Sequence, residues 1–174
     1  MSHVMIDIET LGTEPGCTVL SIGAVAFRPD LPDATEDVEF YRTISLESCQ
    51  DAGLKIDAGT LQWWMSQAPA ARDAAFACET PLDVALESLR GFIPTNATIW
   101  ARPPSFDLSI LEHAYAQLGR PAPWRFWLTR DMRTLEDVSG VSAKAFKAAV
   151  PHHALEDTKA QVAHWRACMK ALGK

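Results

Sequence analysis

Apolar and polar positions alternate from the start of the chain. In "HVMIDIETLG", Val4, Ile6 and Ile8 interleave with Met5, Asp7 and Glu9. Strand side chains point to opposite faces with a period of two, so this stretch predicts an opening strand with Asp7 and Glu9 on one face. "TEPG" marks a turn, and "TVLSIGAVAF" at 18–27 reads as a second strand. Beyond the polar loop "RPDLPDATED", "VEFYRTI" at 38–44 predicts a third. The connections are too short for helices, so the three strands are expected to form an antiparallel meander.

The period then becomes helical. Leu61, Trp64 and Met65 predict a helix near 58–68, and Leu82, Ala85, Leu86 and Leu89 predict another near 80–92. "ATIWA" at 97–101 is a short strand that Pro103 and Pro104 must end. Ser105 is a natural N-cap for "FDLSILEHAYAQLG", with Gly119 as its C-terminal stop. A fifth strand falls in "FWLTRDM", and a last helix spans about 153–172. Three strands followed by alternating helices and strands predict one α/β domain over 1–174, a mixed sheet with helices on its faces. There are no internal repeats or low-complexity tracts.

Composition narrows the classes. Apolar residues are 48% of the chain and charged ones 22%, a profile of soluble globular proteins. No apolar run is long enough for a transmembrane helix, and the start lacks the pattern of a secretion signal, so no membrane partner is expected. Cys17, Cys49, Cys78 and Cys168 form no C-x-x-C pair, which argues against zinc and disulfides and for reduced thiols in a cytoplasm. The net charge of −6 discourages an extensive grip on a phosphate backbone. Two divalent ions on four ligand carboxylates would bring it to about −2, which permits a small, local footprint.

The acids carry the candidate chemistry. Asp7 and Glu9 on one strand face repel each other and are costly to desolvate. A solvated face explains one such acid; a divalent cation explains both. Asp107 stands in the first turn of a predicted helix and Asp157 near the start of the last one, where the helix dipole alone would favour each. In "PHHALEDTKAQ", His152 and Asp157 on one helix would lie about 140° apart and could not share an ion. With Pro151 holding His152 in the preceding loop, the imidazole reaches back over the face of Asp157. His152 is therefore expected on a mobile loop beside the site, and His153 against the helix start or in solvent.

"DIET", "SFD" and "HHALED" resemble the three motifs of the DEDDh 3′→5′ exonucleases, which have the ribonuclease H-like fold. The resemblance covers essentially the whole chain, in order. "IDAGTLQWW", "PPSFDLSIL" and "RDMRTL" are more similar to small phage and prophage exonucleases of the exonuclease VIII or Rv2179c-like exoribonuclease group. The resemblance implies a mixed five-stranded sheet, with three antiparallel strands followed by parallel additions, flanked by helices. It implies Asp7, Glu9, Asp107 and Asp157 as ligands of two Mg²⁺ or Mn²⁺ ions, and His152 as general base. Hard oxygen ligands suit those ions. Such a pair prepares water and steadies the leaving 3′ oxygen, releasing nucleoside 5′-monophosphates from a DNA or RNA end. Thr10, Leu11, Trp64, Arg102 and Phe106 are the expected substrate contacts, Arg102 to phosphate. Arg102, Pro103 and Pro104 replace the Asn or Gly-rich stretch that many relatives carry there.

Trp63 and Trp64 are adjacent, so one belongs to the core and the other is free to stack on a terminal base. Trp124 and Trp127 read as packing residues, with Arg125 and Arg130 near enough to meet phosphates. His3, His113 and His164 suit ordinary surface or satisfied-core positions. Relatives of this kind often form homodimers, a partner the resemblance allows. Two rival readings stand beside the exonuclease: another ribonuclease H-like nuclease cutting internally, and a non-catalytic nucleic-acid-binding module on the same fold.

Overall fold

The central strand of the sheet is the opening one. The computed structural model describes residues 2–31 and 34–174; Pro32 and Asp33 of the polar loop lie outside the described residues. β1 (His3–Thr10), β2 (Val19–Phe27) and β3 (Val38–Thr43) form the antiparallel meander. β4 (Thr98–Ala101) then pairs with β1 in parallel, and β5 (Thr129–Asp131) with β4 in parallel. The five-stranded order is β3-β2-β1-β4-β5. This is the mixed sheet that the alternation predicts.

The helices are α1 (Leu46–Asp51), α2 (Ala58–Met65), α3 (Pro69–Ala75), α4 (Leu82–Phe92), α5 (Pro104–Gln117), α6 (Met132–Ser139) and α7 (Ala154–Ala171). Val4, Ile6 and Ile8 pack with Leu82, Leu86 and Leu89 of α4 and Leu108 and Leu111 of α5 on one face of the sheet. Met5, Val25 and Trp100 on the other face pack with Met132 of α6 and Val162 and Trp165 of α7. Fully burying one such apolar side chain is worth about 1.5–3 kcal/mol, so these two layers fix β1 between them. Asp7 and Glu9 share the α6–α7 face with Met5, one and two pleats further along.

Several boundaries differ from expectation for identifiable reasons. α5 starts earlier than Ser105: Pro103 takes the N-cap position and Pro104 the first turn, where its missing N–H costs nothing. Gly119 does stand just past the helix with φ +68°, as the expected stop. The helix expected to reach 68 ends at Met65, and Pro69 opens α3. In "FWLTRDM" only Thr129–Asp131 is strand; Phe126–Leu128 is a 3₁₀ turn and Met132 begins α6, capped by the Asp131 carboxylate. α1 and α3 are short and lack a long apolar stripe, which is why periodicity misses them. No helix among the described residues is long and apolar enough to cross a membrane.

The first turn of α7 lies directly on β2. A Cβ added at Gly23 would stand 2.3 Å from the Ala154 carbonyl carbon and oxygen and 2.4 Å from the Leu155 nitrogen. Gly23 also pairs in register with Asp7 on β1. The missing side chain thus lets the helix bearing Asp157 settle beside the strand bearing Asp7. A Gly23→Ala substitution meets backbone on the opposite side, which cannot move as a side-chain tip would. Loss of about 1–3 kcal/mol or more in chemical denaturation is expected. An unchanged unfolding midpoint would contradict this contact.

Candidate active site

Asp7, Glu9 and Asp157 converge. Each offers a carboxylate oxygen within 4.8 Å of the others'. β1 supplies the first two by its pleat, and α7 delivers the third from its first turn, seated on Gly23. Asp107 arrives from the first turn of α5 and is only 2% exposed. The Ile8 backbone N–H donates to its Oδ1 at 3.3 Å, tying it to β1 between Asp7 and Glu9. Its Oδ2 is buried without a hydrogen-bond partner. A buried carboxylate oxygen left unpaired is expensive, and a cation would satisfy it.

The electrostatics agree with the geometry. Burial, then the charges of Asp107, Glu9 and Asp157, push the Asp7 carboxyl well above its ordinary range, against a hydrogen bond from Gln161. Burial and the charges of Asp157 and Asp107 push Glu9 up to about 8. Burial raises Asp107 to about 7, opposed by the backbone N–H groups of Ile8, Asp107 and Arg102 and by the charge of Arg133. Asp157 is raised by burial and held back by the charge of His152 and the N–H groups of His152 and His153. All four acids therefore resist ionising together until positive charge arrives. Oxygen-only donors suit a hard divalent cation, and they fit it here.

His152 stands beside Asp157 on the loop before α7, with φ +60°, an uncommon backbone for a residue with a Cβ. Its ring meets Trp63 edge-on, centroids 5.0 Å apart, and Trp64 at 6.2 Å. His153 stacks on Tyr41 at 4.4 Å and occupies the N-cap position of α7. Next to Glu9, a cavity of about 510 Å³ is lined by Thr10, Thr13, Thr60, Trp63 and Phe106 among others. Thr10 and Phe106, both expected substrate contacts, line this cavity, and the Thr10 hydroxyl donates to the Gly12 carbonyl at 2.6 Å.

Three other expected substrate contacts are engaged within the protein. Leu11 is fully buried in a cluster with Leu20, Trp64, Ala71 and Ala75, and its backbone groups bond to Thr18 and Asp57. Trp64 borders the same cavity but is buried, its indole N–H donating to the Thr10 carbonyl at 2.9 Å. Trp63, 43% exposed, is the free member of the pair. Arg102 is committed elsewhere: its guanidinium pairs with Glu136 at 2.7 Å. Trp124 packs as expected, donating to Glu112, whereas Trp127 is exposed beneath the Arg125 guanidinium. His3 accepts from Trp100, and His164 is buried, its Nε2 meeting the Val141 carbonyl at 2.7 Å while its Nδ1 has no hydrogen-bond partner.

Two side chains at the site escaped the sequence reading. Gln161 donates to Asp7 Oδ1 at 2.7 Å, and its position one helical turn after Asp157 was the available signal. Arg133, in the first turn of α6, brings a positive charge toward Asp107.

The profile of the Rv2179c-like 3′-5′ exoribonuclease domain matches residues 2–169. An exodeoxyribonuclease of Enterobacteria phage T4 is 26% identical over 164 residues, covering 77% of this chain and 70% of that protein. Two solved structures share the fold. The nuclease domain of 3′hExo, a DEDDh family member bound to rAMP, superimposes with a TM-score of 0.59 at 10% identity, covering 97% of this chain and 92% of that one. The cell-death related nuclease 4 gives 0.53 at 9% identity, covering 97% and 64%.

The raised carboxyls set the sign of a pH response. A carboxyl with a folded pKa above its unfolded one favours folding at low pH, and that contribution is lost as pH climbs through the folded value. The windows run from 4.5 to about 8 for Glu9 and from 3.8 to about 7 for Asp107. Divalent ions displace those protons, so the ion's apparent affinity should rise about tenfold per pH unit for each proton displaced. The gain in Tm on adding Mn²⁺ to chelator-treated protein is therefore expected to be larger near pH 8 than near pH 5. Equal gains at both would contradict the cluster.

Proposed function

The chain belongs to the Rv2179c-like 3′-5′ exoribonuclease domain family and is a 3′–5′ exonuclease; we propose that Asp7, Glu9, Asp107 and Asp157 hold two Mg²⁺ or Mn²⁺ ions and that His152 is its general base. The observation that carries this reading is the meeting of three acids within 4.8 Å beside a buried Asp107 oxygen that has no partner. Bound divalent ions would supply Lewis acidity toward water and offset charge on the phosphate oxygens.

The chain's own residues do the rest. Gln161 fixes the rotamer of Asp7 through its hydrogen bond. Trp63 and Phe106 line the cavity beside Glu9, where the base of a 3′-terminal nucleotide would stack. His152 accepts the proton of the attacking water, a contribution of about 10²–10⁴-fold. Arg133 stands where its charge would meet a phosphate arriving at Asp107. Cleavage then releases nucleoside 5′-monophosphates one at a time.

The test is a ladder. With Mn²⁺ and 5′-end-labelled DNA and RNA oligonucleotides, stepwise shortening from the 3′ end is expected; internal cuts would favour the endonuclease reading, and no cleavage the binding module. Asp7→Ala and Asp157→Ala should lose more than about 10²-fold in rate. His152→Ala should lose about 10²–10⁴-fold while the ion-induced gain in Tm persists. Wild-type rates in His152→Ala would reassign the base. Trp63→Ala should raise KM more than it lowers kcat, by roughly the 1–3 kcal/mol that base stacking supplies.

A further inference from the structure

Glu136, on α6, divides its carboxylate between two segments that are remote in sequence. Oε2 lies 2.7 Å from Nη2 of Arg102, immediately before α5. Oε1 accepts the Ala143 backbone N–H at 2.8 Å, near the start of the connection that ends in His152. The Arg102 end continues inward, since Arg102 leads through Pro103 straight into the first turn of α5, which bears Asp107. The Ala143 end is reinforced as well. Ser139 bonds to the Glu136 carbonyl and accepts the Val141 N–H, while the Val141 carbonyl meets His164 Nε2 at 2.7 Å. Phe146 stacks on the His164 ring at 5.0 Å.

An exposed ion pair would count for little here. This one is three-quarters buried on both sides, with the two side chains 26% and 21% exposed. Each carboxylate oxygen also serves a different segment, so losing either partner leaves a half-buried charge or amide unpaired. Ala143 and His152 belong to one connection, and Arg102 and Asp107 are one loop and a turn apart.

We propose that Glu136 is a positioning residue that couples the segment bearing Asp107 to the connection bearing His152, and so sets the base against the carboxylate cluster. This rests on the roles assigned to those residues under the proposed function. It makes Arg102 a tether instead of a phosphate contact. Misplacing a reacting group by about 1 Å can cost about 10²-fold in rate, so a fault in the tether appears in turnover before it appears in binding.

The experiment uses the full chain with Mn²⁺ and an end-labelled oligonucleotide. Glu136→Ala and Arg102→Ala are each expected to lower kcat about 10–100-fold with KM within about threefold. The double variant should be little slower than the worse single one, because both break one bridge. Glu136→Gln, whose amide oxygen still accepts from Ala143, should keep more activity than Glu136→Ala. Hydrogen exchange over residues 141–152 should speed up in Glu136→Ala without a matching change in β1 or β2. If Glu136→Ala does not fold, Glu136→Gln and Arg102→Ala carry the same comparison. A raised KM and intact kcat in Arg102→Ala, with Glu136→Ala unaffected, would overturn the proposal and return Arg102 to phosphate binding. So would unchanged exchange over 141–152. A wild type that trims no 3′ end would defeat the functional reading instead, and the exchange result would still decide whether Glu136 is a tether.

Discussion

Mutual repulsion among buried carboxylates is the constraint around which this molecule is arranged. Asp7, Glu9, Asp107 and Asp157 each carry a raised pKa, and burial is the first cause in every case. Without a counter-charge the cluster favours its protonated form, so holding it together costs folding energy near neutral pH. The surrounding layers supply what is needed. Two apolar sheets of contact clamp β1 from both faces, and α7 is seated on β2 at a glycine. Preorganisation of this kind moves the cost of assembling charge from the reaction to the folding of the chain.

Much of this was legible in the sequence, and the reason is local. A period of two places Asp7 and Glu9 on one strand face whatever the rest of the chain does, and the short connections that follow leave the meander little choice. The H-x-x-x-x-D geometry at 152–157 likewise forces the histidine off the helix, and the structure keeps it in the loop beside Asp157. What the sequence left dark depends on tertiary neighbours. Leu11 and Trp64 look available in the chain, yet both sink into the small cluster beneath α2 and α3, and Trp63 takes the exposed position. Arg102 looks like a free cation until α6, a helix the sequence reading did not assign, brings Glu136 to it. Ser105 is outcompeted as a cap because the prolines before it already begin the helix.

The fold alone would not have decided the chemistry. Structures sharing only about a tenth of their residues with this chain superimpose on nearly all of it, and folds of this breadth host different activities. The assignment comes from the family match over residues 2–169 together with a donor set made of oxygen, one of whose atoms is buried without a partner. The polar ring around that set, Gln161 on Asp7 and the Ile8 N–H on Asp107, belongs to the same design, since a ligand whose orientation is fixed binds more tightly than one that must be ordered.

The seating of α7 on Gly23 also governs where the chain can change length. Asp157 and Gln161 reach Asp7 from one face of a continuous helix whose first turn is locked against β2. One residue inserted between them would rotate everything beyond it by about 100° and carry Gln161 away from the cluster. Insertions and deletions should therefore be excluded from this stretch of the helix, making chain-length variation itself a map of which distances the site holds fixed.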